Sequence, residues 1–265
     1  MIKPIATPSR TKEILAKHDV FAKKNYGQNF LIEPSVVEKI ARSAIGEKKC
    51  VAFEIGPGIG ALTQYLCEYA QKVVSFEIDE RLPEVLKDTL QEYDNFEIVL
   101  QDFLTIDLNA WVEKYRQEGY EVVVAANLPY YITTPILFKI FEAEANISSI
   151  TVMMQKEVAD RFYAKVNTKD YNALSVITQY RCEVSPVMKV PKNVFMPKPN
   201  VDSAVLQFRF KQRRKTMLNN FADYLQDKAK AMALLKQANI DPKRRGESVS
   251  LAEFLGLYEV MRNEA

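Results

Sequence analysis

Residues 51–78 read VAFEIGPGIGALTQYLCEYAQKVVSFEI, and this stretch decides the fold. VAFEI (51–55) and KVVSFEI (72–78) are short runs rich in β-branched and aromatic side chains. Between them lie a glycine-rich turn and ALTQYLCEYA (61–70), whose apolar residues recur at i, i+3 and i+4. Strand, turn, helix and strand in that order form a crossover unit, which joins two parallel strands. The same cadence continues outward. FEIVL (96–100), EVVVAAN (121–127) and SITVMMQ (149–155) read as further strands. RLPEVLKDTLQEY (81–93), LNAWVEKYRQEG (108–119) and TPILFKIFEAEA (134–145) read as the helices between them. The expected class is α/β, a mostly parallel sheet with helices on both faces. After a helical YNALSVITQY (171–180), CEVSPVMKV (182–190) and SAVLQFRF (203–210) lie too close together for a crossover helix. They are expected as an antiparallel hairpin at the sheet edge.

From Lys211 the pattern turns wholly helical, which puts a domain boundary near residue 210. Ser250, with Glu253 three residues on, predicts a capping box for the last helix. The expected organisation is a basic N-terminal arm and first helix (1–49) belonging to the catalytic domain, a sheet domain (50–210) and a helical domain (211–265). Apolar residues make up 48% of the 265 and charged residues 26%, enough for a sizeable core, which excludes disorder and small disulfide scaffolds. Cys50, Cys67, Cys182 and the single His18 are scattered, so a Cys/His metal cluster and histidine-based acid–base chemistry are not expected. The reading of the cysteines is buried apolar residues in a reducing cytosol. No apolar run resembles a secretory signal or a membrane span, and no membrane partner is expected.

The net charge of +2 hides a segregation. Residues 1–49 sum to +5, residues 50–180 to −10 and residues 181–265 to +7. Basic ends around an acidic middle point to a polyanion touching the flanks, with nucleic acid the leading candidate.

In an open parallel sheet, ligands bind beyond the carboxyl ends of the strands, so the loops there carry the chemistry. The first holds Gly56, Gly58 and Gly60, a G-x-G-x-G that lacks both the dinucleotide spacing and the ending of a P-loop. Alone it is a weak signal. The second strand ends in Glu77, a carboxylate able to accept both ribose hydroxyls of a nucleoside. The third is followed by Asp102, an acceptor for an adenine amine. Glu54 and Glu77 surround the glycine loop with negative charge, which suits a cationic cofactor, and S-adenosylmethionine carries a sulfonium. The fourth ends in NLPYYITTP (127–135). Pro129 stiffens that turn, so that the Asn127 amide oxygen and the Leu128 carbonyl face one small space, while Tyr130 offers a ring for a flipped adenine to stack on.

NLPYYITTP together with GQNFL (27–31) resembles the signature of the ribosomal RNA adenine N6,N6-dimethyltransferases. KKNYGQNFL (23–31), EIGPGIGALT (54–63), FEID (76–79), QDFL (101–104), MMQKEVADRFYA (153–164), KDYNALSV (169–176) and VFMPKPNVDSAV (194–205) fall in that family's order. RRKTMLNNF (213–221) and RRGESVSLAEF (244–254) resemble the helical C-terminal domain of its small-subunit branch. One departure stands out: Val166-Asn167 replaces the Pro-Gly common before TKDY. The resemblance implies a Rossmann-like class I methyltransferase sheet with a small all-helical RNA-binding domain. It implies S-adenosylmethionine as methyl donor and the small ribosomal subunit, through 16S rRNA, as the partner of a monomer. The implied cofactor set is Asn29, Leu31, Gly56, Gly58, Glu77, Ile78, Asp102, Phe103 and Asn127. Asn127, Leu128, Pro129 and Tyr130 would serve the reacting amine, with Phe195 as a second aromatic wall. Arg213, Arg214, Lys215, Arg244 and Arg245 would meet RNA phosphates. A large-subunit adenine methyltransferase and a mainly RNA-binding assembly factor are the competing readings.

Overall fold

The computed structural model describes residues 3–21, 28–129, 132–143, 145–210, 216–244 and 246–263. Five strands run parallel in the order β4 (Phe96–Leu100), β3 (Lys72–Glu77), β2 (Cys50–Ile55), β5 (Glu121–Asn127), β6 (Ile147–Gln155). β9 (Ser203–Phe210) follows antiparallel to β6, and β7 (Cys182–Val190) closes the edge antiparallel to β9. The chain lays β3 and β4 to one side of β2 and β5 and β6 to the other. The strand order therefore reverses between β2 and β5, where a doubly wound sheet opens its ligand crevice.

Between their ends the central strands β2, β3 and β5 are apolar apart from Glu54 and Ser75, because both faces are covered. Along β2, Cys50 and Ala52 join one core cluster, while Val51, Phe53 and Ile55 join the other. The first cluster is filled from α2 (Pro34–Ile45), α3 (Ala61–Tyr69) and α4 (Leu82–Thr89), with Ile40, Leu66 and Leu86 among its members. The second takes Val112 from α5 (Leu108–Gln117), Leu137 from α6 (Thr133–Glu142) and Phe162 from α7 (Lys156–Phe162).

Among the described residues, the N-terminal 49 hold two α-helices where one was expected. α1 (Pro8–Lys17) is capped by the Thr7 hydroxyl and buries only Thr11 and Ile14, so its apolar stripe is too narrow to read. His18 sits at its end, with Nε2 2.7 Å from Asp88 Oδ2 on α4. A second, two-stranded sheet pairs β1 (Phe30–Leu31) with β8 (Phe195–Met196), joining GQNFL to VFMPKP. α8 (Ala173–Arg181) is inverted: it buries Ser175 and Thr178, while Val176, Ile177 and Tyr180 are exposed.

The chain forms two compact units, Met1–Lys211 and Gln212–Ala265. In the second, α9 (Met217–Leu225), α10 (Lys228–Gln237) and α11 (Leu251–Asn263) enclose a small core that includes Phe221, Leu234, Leu235 and Leu257. The capping box forms: Glu253 N–H donates to Ser250 Oγ at 3.3 Å, and Ser250 N–H donates to Glu253 Oε2 at 2.7 Å. Among the described residues, no helix is long and apolar enough to cross a membrane.

Candidate active site

A pocket opens at the carboxyl ends of β2, β3 and β5, at the strand-order reversal. Its floor is the glycine turn between β2 and α3. Gly56 sits at φ +68 with its N–H on Phe76 O at 2.9 Å, and a side chain added there would meet no atom within 4 Å. Glycine is required for that backbone conformation, and the space in front of it belongs to the pocket. At Gly60, φ +92, a Cβ would also come within 3.2 Å of Leu86 and Thr89, so helix packing forbids it too.

Three acidic residues ring this turn, each held differently. Glu54 is buried, and its Oε2 accepts from the Thr63 hydroxyl at 2.7 Å and the Ser75 hydroxyl at 2.8 Å. Burial pushes its carboxyl up to about 7 despite those bonds, and the Glu77 charge adds to the rise. Glu77 caps the loop after β3: its Oε1 accepts the backbone N–H groups of Ile78 (2.8 Å) and Asp79 (2.9 Å). Burial raises it as well, opposed by these N–H groups and that of Gly58. Asp102 is exposed and accepts the Leu104 N–H at 2.8 Å, which folds its loop back and holds Asp102 beside Phe103 on the pocket wall.

Asn127 ends β5, and its amide nitrogen donates to the Asn29 carbonyl at 3.4 Å. The next turn closes on itself, with the Pro129 carbonyl accepting from Ile132 N–H (3.2 Å) and Thr133 Oγ1 (3.0 Å). Leu128 N–H donates to Met153 O, and among the described residues no hydrogen bond reaches the Leu128 carbonyl. Phe195 is both a core residue and a pocket residue: in β8 it registers against Leu31 and reaches the cavity.

Thus Asn29, Leu31, Gly56, Gly58, Glu77, Ile78, Asp102, Phe103, Asn127, Leu128, Pro129 and Phe195 all line one pocket. Tyr130 lies outside the described residues, as do Arg213, Arg214, Lys215 and Arg245. Arg244 is described, and its surroundings argue against a free phosphate contact. Its guanidinium forks onto Glu253 (2.5 and 3.2 Å) and donates to the Ser248 carbonyl, clasping the start of α11. Asn167 takes φ +67, the conformation that glycine would supply there, so the Val-Asn departure keeps a left-handed residue in the turn.

Sequence reasoning missed Gln28, Phe30, Ile132 and Ile136 on the pocket wall. The Phe30 ring lies 3.6 Å from where a Gly58 Cβ would sit, a contact set by the β1–β8 pairing and invisible to local pattern. Also missed was Asp79, which Arg81 grips at 2.6 and 2.9 Å and which accepts from Gln28 at 3.3 Å. The Arg81 guanidinium holds its carboxyl down at about 2. FEID contained that aspartate, and only the fold shows that it reaches the GQNFL segment.

A family profile described as ribosomal RNA adenine dimethylase matches residues 21–226. The chain is 47% identical to the Ribosomal RNA small subunit methyltransferase A of Oceanobacillus iheyensis, covering 95% of this chain and 94% of that one. It is equally similar, at 47%, to the protein of the same name from Geobacillus thermodenitrificans, covering 98% of each. Among solved structures, a dimethyladenosine transferase from Plasmodium falciparum shares the fold (TM-score 0.61, 24% identity, 88% of this chain, 97% of that one). The 23S rRNA methyltransferase ErmE superposes with a TM-score of 0.58 at 27% identity, over 88% of this chain and 100% of that one. With a profile spanning most of its length and relatives near half identity end to end, this chain belongs to the ribosomal RNA adenine dimethylase family.

Proposed function

We propose that this chain methylates N6 of two adjacent adenines in a hairpin near the 3′ end of 16S rRNA, using S-adenosylmethionine and giving N6,N6-dimethyladenosine. It acts during small-subunit biogenesis, as a monomer in the cytoplasm. The observation that carries the reading is Asn127, whose amide nitrogen is tethered to the Asn29 carbonyl, which leaves Oδ1 as the acceptor for a substrate amine. The small-subunit target is supported by relatives of that name at 44–47% identity over nearly full length, against 27% for the 23S enzyme.

The pocket suits the methyl donor on its own chemistry: an unobstructed glycine turn, two acidic groups at its base and an apolar wall of Leu31, Ile78 and Phe103. Glu77 would hold the ribose hydroxyls, Asp102 the adenine amine and Asn29 the methionine end. S-adenosylmethionine supplies an electrophilic methyl group carried on a sulfonium. The chain's part is orientation. Asn127 Oδ1 and the Leu128 carbonyl accept the two hydrogens of the adenine amine and draw its lone pair out of conjugation with the ring. Pro129 fixes the turn that sets both acceptors, and Phe195 and Tyr130 wall the base. No strong base is needed, because the methylated nitrogen is acidic and its proton leaves along these acceptors to water.

The test is incubation with labelled S-adenosylmethionine and undermethylated small or large subunits, followed by nucleoside analysis. Dimethyladenosine in the small-subunit RNA alone is expected. Label confined to the large subunit would favour the 23S reading, and label in neither would leave an assembly factor.

A further inference from the structure

We propose that Lys139 is a positioning residue that fixes the Asp102–Phe103 wall of the pocket to the helix that follows the NLPYYI segment. Lys139 lies in the last turn of α6. Its ammonium donates to the Leu104 carbonyl at 2.9 Å and the Ile106 carbonyl at 2.8 Å. No carboxylate among the described residues pairs with it, and no described backbone N–H reaches either carbonyl. A half-buried cation without a counter-ion is stable only if acceptors replace its water, so the charge and the two carbonyls need one another.

The loop so held joins β4 to α5 and has no regular structure between Gln101 and Asp107. Its internal bonds, Leu104 N–H to Asp102 Oδ1 and Thr105 N–H to Asp102 O at 2.9 Å, set the shape of the turn. They do not set its distance from the rest of the pocket. Phe103 packs edge-on to Phe76, ring centroids 5.4 Å apart, and Lys139 supplies the polar tie on the far side of the turn. One turn before Lys139, α6 contributes Ile136 to the pocket, and its N-cap Ile132 lines the same pocket after the segment that carries Asn127 to Pro129. Lys139 thus braces the wall facing the donor's adenine against the wall facing the target base.

The proposal rests on the reading that Asp102 accepts the adenine amine of the donor, and the experiment separates the two. Calorimetry on the full chain would measure S-adenosylhomocysteine and its inosine counterpart, which lacks that amine. The proteins would be wild type, K139M, K139R, D102A and the K139M/D102A double variant. K139M is expected to weaken S-adenosylhomocysteine binding by about tenfold, the loss of charged hydrogen bonds. It should leave the inosine analogue nearly unchanged, and K139R should recover most of the affinity. The double variant should lose far less than the product of the two single losses. In turnover, K139M should raise KM for S-adenosylmethionine while kcat changes little. If K139M does not fold, K139Q, which keeps an uncharged N–H donor group, should show an intermediate loss. Wild-type affinity in K139M or K139Q, or multiplicative losses in the double variant, would overturn the assignment. Wild-type affinity in D102A would instead count against the adenine reading, while Lys139 would still stand or fall on K139M.

Discussion

A carboxyl group buried beneath a glycine turn, as Glu54 is, ionises only against the cost of leaving water. Its ordinary value of 4.5 rises to about 7 in the fold, chiefly through burial. Below pH 4.5 both folded and unfolded chains hold the proton, and the fold has its full advantage. Between 4.5 and about 7 the unfolded chain ionises first, so stability falls as pH rises, and above that window the loss is constant. The shift corresponds to about 3 kcal/mol at most. Glu54→Gln keeps an acceptor for Thr63 and Ser75 but cannot titrate. Urea unfolding from pH 4.5 to 8 should show the wild type declining relative to the variant, and parallel curves would refute the buried-acid account. Asn127 makes a different kind of demand. If its oxygen holds the amine only as the reaction proceeds, Asn127→Ala should cut single-turnover rates by about a hundredfold. Cofactor and RNA affinity should shift far less, and equal losses in rate and binding would mean that the residue only ties β5 to Asn29.

Elements differ in how plainly local sequence announces them. β2, apart from Glu54, and the stretch Val122–Ala126 of β5 are apolar because each buries both faces, and period and composition then agree. The loops that follow such strands are placed by topology, which is why Glu77, Asp102 and Asn127 could be brought to one pocket on paper. β1 and β8 are two residues each, paired across more than half the chain, and no window along the sequence contains that information. α8 was readable as a helix but not as to its facing: Ser175 donates to the Arg161 carbonyl at 2.5 Å and Gln179 to the Ala164 carbonyl at 2.8 Å, so its polar side turns inward. Lys139 carries no local signal of its role for the same reason, since its carbonyl partners lie 33 and 35 residues away. At the turn before α8, Asn167→Gly should leave thermal stability unchanged or slightly higher, whereas Asn167→Ala should cost about 1 kcal/mol. At α11 the Arg244 guanidinium, with the Ser250 cap, holds Glu253 down at about 2. That contribution is complete above pH 4.5 and is lost as pH falls toward 2. The hydrogen-exchange protection of α11 should therefore fall over this acid window in the wild type, and the fall should be blunted in Glu253→Gln, which keeps an acceptor for the Ser250 N–H but cannot titrate.

At the scale of the molecule, charge decides where RNA can approach. The middle of the chain, which supplies most of the pocket, sums to −10, and the phosphate backbone is attracted only to the flanks at +5 and +7. Arg244 was a natural candidate for that contact, but its bonds to Glu253 and Ser248 make it part of the helical unit's own framework. Its substitution should lower stability first and affinity second. The run Arg213, Arg214, Lys215 carries three of the C-terminal charges within three positions. If these side chains each displace a counter-ion from rRNA, neutralising all three should flatten the log–log salt dependence of binding by about two to three units. The deficit should be largest at low salt and fade as screening rises. S-adenosylhomocysteine affinity and melting temperature should stay at wild-type values, because the pocket belongs to the other compact unit. Filter binding to undermethylated small subunits across a salt series reads the slope directly. A triple variant with an unchanged slope would move the phosphate contacts to the N-terminal flank, where Lys23 and Lys24 precede GQNFL.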